Sequence, residues 1–212
     1  MNYGLSARRI WLLSFLLCAM AVAVSFAFAD LPVARWSFRN MGLREAFGNG
    51  LGSAVLLSLE AATVLALAVF RLVRGHISPF GEAAAIASLA SMCAYAVNNG
   101  VLKIFFGVTT PEDVLMQGAH HSFHLLAGFP NSSFPSGHMV LAGAFAGVFM
   151  KLYPRSIGAL SALLLFGAAL LVFGDWHFVS DTIAGTFAGV SAGLLAGELW
   201  RVHSSLREPG SE

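Results

Sequence analysis

The chain predicts an all-α, polytopic membrane bundle of six transmembrane helices. Its 212 residues are 57% hydrophobic and only 11% charged, whereas a soluble domain carries about a quarter charged residues. Apolar stretches near the roughly 20 residues that a helix needs to cross a bilayer recur at 10–29, 52–73, 80–100, 138–153, 156–174 and 181–200. Small residues run through these stretches, and the 22 glycines read as helix-packing contacts, because small side chains let backbones approach closely in lipid. Residues 1–212 read as one membrane domain without a low-complexity linker or repeat.

The first stretch follows Arg8-Arg9 and ends at Ala27-Phe28-Ala29 before Asp30, the outline of a cleavable signal peptide. It exceeds the usual apolar core of about 7–15 residues, so a retained helix is expected. Residues 30–50 mix Trp36, Phe38 and Phe47 with Arg35, Arg39 and Arg44. That mixture suits a short helix in the membrane interface, with an ordinary loop as the alternative. Glu60 and Asn98-Asn99 are polar groups within apolar stretches. Such groups default to a functional reading, although Glu60 could equally bond a neighbouring helix. The fourth and fifth stretches follow closely enough to form a helical hairpin. Cys18 and Cys93 both sit in apolar segments and read as small core residues rather than a disulfide.

Six spans put both termini on one side. That side collects Arg8, Arg9, Arg71, Arg74, Lys151, Arg155, Arg201 and Arg207, and the other holds Arg35, Arg39, Arg44 and Lys103. The positive-inside rule then predicts cytoplasmic termini in a bacterial inner (plasma) membrane, with the motif-bearing loops on the periplasmic face of a Gram-negative cell or the outer face otherwise. A net charge of +1 gives no footing for a nucleic-acid partner.

Those loops carry the chemistry. Lys103 opens a Lys-Ile-Phe-Phe-Gly-Val-Thr-Thr-Pro stretch, Pro135-Ser136-Gly137-His138 opens the fourth apolar segment, and His177-Phe-Val-Ser-Asp181 opens the sixth. Helical spacing puts His177 and Asp181 on one face. A carboxylate near one ring nitrogen fixes the tautomer and leaves the other nitrogen a better nucleophile. Ser136 and Gly137 fall where a helix begins, and free N–H groups there bind anions. Singly, each has a bland reading: a capping pair, an interfacial histidine, a lysine snorkelling to the headgroups. Their convergence on one predicted face favours a phosphoryl site, with Asn98 and Asn99 in support.

The three motifs resemble the type 2 phosphatidic-acid phosphatase superfamily of membrane lipid phosphatases, whose core is shared with vanadium haloperoxidases. Its signatures are Lys-x6-Arg-Pro, Pro-Ser-Gly-His and Ser-Arg-x5-His-x3-Asp. The second is complete here, the third keeps His177 and Asp181, and the first keeps Lys103 and Pro111. The likeness covers about residues 95–190 and implies six membrane helices. It also implies a lipid-phosphate substrate in the bilayer and a phosphohistidine on His177, oriented by Asp181. His138 would protonate the leaving alkoxide, while Lys103, Ser136 and the Gly137 amide hold phosphate, with Thr110 and Asn99 beside them. No cofactor is implied, because histidine serves as nucleophile and acid in turn.

Thr110 and Leu171 stand where the signatures have arginine, and Val108 where many members have another. Guanidinium–phosphate contacts are strong, so their loss points to a less charged diester substrate, to a replacement cation, or to binding without catalysis. Arg35, Arg39, Arg44, His120, His121 and His124 are the candidate replacements. His120 and His124 could share a metal at helical spacing, but only Glu112 and Asp113 stand near to complete the ligand set, and a loop lining the pocket mouth is the expected reading. Asp175, two residues before His177, is placed either to hold the loop or to tune that histidine. A diester-cleaving headgroup transferase and a non-catalytic binder or transporter are the competing functions. A transporter would show inverted repeats, and none is seen.

Overall fold

The computed structural model describes residues 3–44, 52–126 and 132–207. Phe47 and the rest of 45–51, together with Pro130 and Asn131, lie outside the described residues. Within them the chain is all-α, with one isolated bridge between Val108 and Phe123. The helices are α1 (Tyr3–Phe28), α2 (Asp30–Asn40), α3 (Ser53–Arg74), α4 (Pro79–Val97), α5 (Lys103–Phe106), α6 (Pro111–Met116), α7 (Gly137–Leu152), α8 (Ile157–Phe173) and α9 (Val179–Arg207).

Five described segments are long and apolar enough to cross a membrane: Arg8–Phe28, Ser53–Arg74, Pro79–Phe106, Pro154–Phe173 and Val179–Leu206. Their large apolar side chains face outwards; Leu16, Leu65 and Leu165 are each more than half exposed. Only lipid makes that surface favourable, so this is an integral membrane protein. The remaining apolar helix, α7, has 16 residues, shorter than the roughly 20 of a full span.

Despite its length, α7 is the centre of the bundle. Met139, Leu141, Ala144 and Val148 on it are essentially sealed, and it packs chiefly against α9 and α4. The contact with α9 is backbone against backbone. Gly185, Gly189, Gly193 and Gly197 recur every fourth residue and form one stripe on α9. A Cβ on Gly189 would lie 2.5 Å from the Val140 carbonyl oxygen, and one on Gly193 would lie 2.1 Å from that of Ala144. This is small-residue packing of the kind that membrane helices use. Around the pair, α1 packs on α9 and α3 on α4. Glu60 takes the bland role: its Oε1 is 2.7 Å from the Ser91 hydroxyl, which is itself 2.9 Å from the Leu141 carbonyl.

Three local features position the loops. The third span runs past residue 100 through a π-helical turn, Asn98–Leu102, into α5, so Lys103 sits on the helix rather than behind it. The hairpin between α7 and α8 is closed by a single 3₁₀ turn, Pro154–Ser156. The expected interfacial helix is α2, whose buried face is Asp30, Ala34 and Ser37, leaving Trp36 and Phe38 outward.

The close contact makes a prediction. Gly193→Val should abolish monodisperse, folded protein in detergent, because the new side chain meets backbone that cannot yield. Gly167→Ala on α8, where a Cβ meets nothing within 4 Å, should purify normally. Equal yields of the two variants would refute the packing account.

Candidate active site

The stripe on α9 delivers the start of α7 to the start of α9. The Ser136 N–H donates to the Asp181 carbonyl at 3.1 Å. Ser136 also caps α7, its hydroxyl oxygen accepting from the Met139 N–H. Gly137 is there for a neighbour: a Cβ would come within 2.9 Å of the Tyr95 ring. From the π-helical turn, buried Asn98 donates to the Pro135 carbonyl at 3.2 Å. Asn99 lies beside it, its Oδ1 3.5 Å from the Asn98 amide nitrogen.

His177 is not on α9. It sits in the turn between α8 and α9, so the expected shared helical face does not exist. The pair meets instead around the end of the helix. Asp181 occupies the first turn of α9 and reaches back, accepting from the Phe178 N–H at 2.8 Å. The same oxygen lies 3.4 Å from His177 Nδ1. Ser133, which the sequence did not single out, places its hydroxyl 3.3 Å from the other carboxylate oxygen. His177 Nε2 then faces His138 Nδ1 at 3.5 Å. Lys103 is within electrostatic range of Asp181. Thus His177, Asp181, His138, Ser136 and Gly137 come together at the starts of α7 and α9, with Lys103 in electrostatic range.

Thr110 does not join them as a free hydroxyl. It caps α6 in a reciprocal box with Asp113, donating to that carboxylate at 2.7 Å. Leu171 packs on the Met139, Ala146, Met150 and Leu164 cluster, and its carbonyl accepts from the His177 N–H at 3.2 Å. Val108 is fully buried, and its N–H takes the Ser132 hydroxyl oxygen at 2.9 Å. A long charged side chain would not fit there.

Contacts from α2 and the loop before α7 fix the start of α9 behind His177. Asp30 is sealed from solvent; it accepts from the Ser180 N–H at 2.9 Å and the Ser180 hydroxyl at 2.5 Å. His121 Nε2 lies 3.1 Å from the same carboxylate, its ring between Phe26 and Phe178 at 4.2 and 4.1 Å. One clue to Asp30 is legible in the residues: it is the lone acidic residue among the first 44. His120 and His124 are exposed and not helical, so the helical spacing that suggested a shared metal is absent. Among the described residues no three His, Cys, Asp or Glu side chains converge on one point.

A family model for the PAP2 superfamily matches residues 83–203, more than half of the chain and all three motif segments. The chain belongs to the PAP2 superfamily. No curated protein and no solved structure matches it. PAP2 membership carries phosphatase-type, ester-cleaving activity in general, and the facing histidines sit inside the matched region.

Asp175 gives this PAP2 site a pH-sensitive element. It adopts a left-handed backbone, φ +56°, two residues before His177, and its Oδ1 is buried without a hydrogen-bond partner. Burial raises its carboxyl from 3.8 to about 6, against the lowering pull of the Ser37 hydroxyl and the Arg44 guanidinium. A folded pKa above the unfolded one means stability present below 3.8 and lost as pH climbs to about 6. Asp175→Asn should therefore gain melting temperature over the parent as pH rises through that window. A difference independent of pH would contradict the assignment.

Proposed function

We infer that the protein is a lipid-phosphate phosphatase working through a covalent phosphohistidine on the extracytoplasmic face of a bacterial inner membrane. The observation that carries this reading is the orientation of His177. Its Nδ1 is turned to Asp181 and its Nε2 to His138. With the Nδ1 proton held by the carboxylate, the Nε2 lone pair is the nucleophile. Attack on phosphorus forms the N–P bond as the P–O bond to the alkoxide breaks, and protonated His138 gives its proton to that oxygen. Water then enters with His138 as base, and His177 leaves as a neutral imidazole. The histidine nitrogens at 3.5 Å are too close to hold phosphorus between them, so one ring turns aside as substrate enters.

Phosphate oxygens would meet Lys103, the Ser136 hydroxyl and the first N–H groups of α7, which have no acceptor within the helix. A lipid substrate is supported by an apolar trough beside the site. A cavity of about 580 Å³ under α2 reaches Val179 and Thr182 and shares Leu165, Ala168, Thr182 and Ile183 with one of about 860 Å³ along α1, α8 and α9. An acyl or prenyl chain fits such a surface. The extracytoplasmic placement is supported by charge, since Arg71, Arg74, Lys151, Arg155 and Arg201 belong to the helix ends opposite the histidines.

A diester-cleaving headgroup transferase is the second reading, favoured by one observation: Lys103 lies within electrostatic range of Asp181, and these charges formally cancel. Turnover on matched lipid monoesters, diphosphates and diesters decides between them. Monoesters should be cleaved with release of inorganic phosphate. Exclusive diester cleavage, with the headgroup passed to an alcohol, would overturn the phosphatase reading.

Two predictions follow from the assigned roles. A positioned acid contributes about 10²–10⁴-fold, so His138→Ala should slow an alkyl ester far more than an ester with an activated aryl leaving group. Equal losses would make His138 structural. In a variant lacking Cys18 and Cys93, a cysteine at Gln117 should react with an impermeant maleimide in spheroplasts, and one at Arg74 should not. The reverse pattern would place the site in the cytoplasm.

A further inference from the structure

A phosphate monoester brings two negative charges to a site where Lys103 is offset by Asp181. Another cation is required, and the candidates can be sorted by where they sit. Arg35 and Arg39 are exposed on α2. His121 is committed to Asp30, and His120 and His124 are exposed. Arg44 differs from all of these. Its side chain is only 14% exposed, and the chain turns back towards the bundle just before it, at Gly42 with φ +58°.

The Arg44 guanidinium joins two segments that both lead into the site. Nη1 donates to the backbone carbonyl of Asp175 at 2.8 Å, two residues before His177. Nη2 pairs with the Glu112 carboxylate on α6, two residues after Thr110. It therefore links the turn that carries His177 to the helix that Thr110 caps, and its two partners stand close in sequence to the two signature positions that lack arginine. The two contacts are unequal. A backbone carbonyl anchors the group without cancelling its charge, whereas Glu112 cancels it. The Glu112 side chain is 49% exposed and free to turn outwards. A carboxylate and a phosphate present similar paired oxygens to a guanidinium, so one can replace the other.

We propose that Arg44 is the phosphate-binding guanidinium of this site and that Glu112 is its resting partner, displaced when substrate phosphate arrives. The proposal rests on the phosphoesterase reading of the His177–His138 site. Arg44 stays anchored on the Asp175 carbonyl while Nη2 and the remaining N–H groups turn from Glu112 to the phosphate. The exchange returns a full positive charge to the site only when an anion is present to take it. That makes a dianionic monoester a compatible substrate without arginine at position 110 or 171.

The test is a set of variants with opposed expectations. Binding of inorganic phosphate is measured by titration calorimetry on the full chain in nanodiscs, beside kcat/KM on a short-chain lipid phosphate. Arg44→Ala should weaken phosphate binding at least about tenfold and lower kcat/KM by about 10²–10³-fold, the usual cost of losing a charge-stabilising donor. Arg44→Lys, which keeps charge but not the paired geometry, should fall between. Glu112→Gln should bind phosphate more tightly than the parent, because the internal competitor is gone. If Glu112→Gln instead weakens phosphate binding alongside Arg44→Ala, the pair is a structural strut and the proposal fails. Hydrolysis with phosphate affinity unmoved by Arg44→Ala would overturn the proposal and leave the phosphatase reading standing. A parent protein that neither binds phosphate nor cleaves any ester would overturn both.

Discussion

The close approach of α7 and α9 is the constraint on which the rest of the molecule depends. Lipid offers no hydrophobic force to push apolar helices together, so packing contacts must do it. A glycine every fourth residue lets α9 lie directly on the α7 backbone, with no side chain between Gly193 and the Ala144 carbonyl. The register of that contact decides which residues face each other at the helix starts. It is why Ser136 bonds the Asp181 carbonyl and why His138 meets His177. A shift of one helical turn, about 5.4 Å, would part the histidines altogether.

The shortness of α7 acquires a purpose in this setting. Sixteen residues span about 24 Å, less than the roughly 30 Å of a bilayer's hydrocarbon core. Surrounded by α4, α8 and α9, the helix has no need to match the membrane, and one end can stop below its surface. Here that end bears Ser136, Gly137 and His138. The first N–H groups of α7 therefore lie beside buried Ser136, His177 and Asp181, where a charge interaction is worth more than in water. On the proposed reading, a lipid's phosphate would reach down to His177 and His138 while its chain stays in apolar surroundings.

Much of this was readable from the residues, and the exceptions have physical causes. Hydropathy found the helices, and the Pro-Ser-Gly-His and His-x-x-x-Asp spacings located the groups that converge. Their mutual geometry differs from the expectation in one respect: i,i+4 spacing implies a shared helical face only inside a helix, and His177 lies just before one. Thr110 was expected beside phosphate, but a threonine before Pro111 with an acidic residue three positions on also carries a capping signal, and it caps α6. Asp30, Ser133 and Ser180 went unnoticed because their roles arise from contacts across as many as 150 positions, and no local pattern records these. Arg44 stood among three arginines that sequence could not rank. Burial separates it from Arg35 and Arg39.

The central claim is that the orientation of His177, set by Asp181 on one side and His138 on the other, makes its Nε2 the nucleophile. The most direct measurement is rapid quench of the enzyme with phosphorus-labelled lipid monoester, followed by peptide mapping of the label. The account predicts an acid-labile, base-stable phosphoramidate on His177 that forms within one turnover, and its absence in His177→Ala. Full turnover in His177→Ala, or label carried by another residue in the active parent, would contradict it.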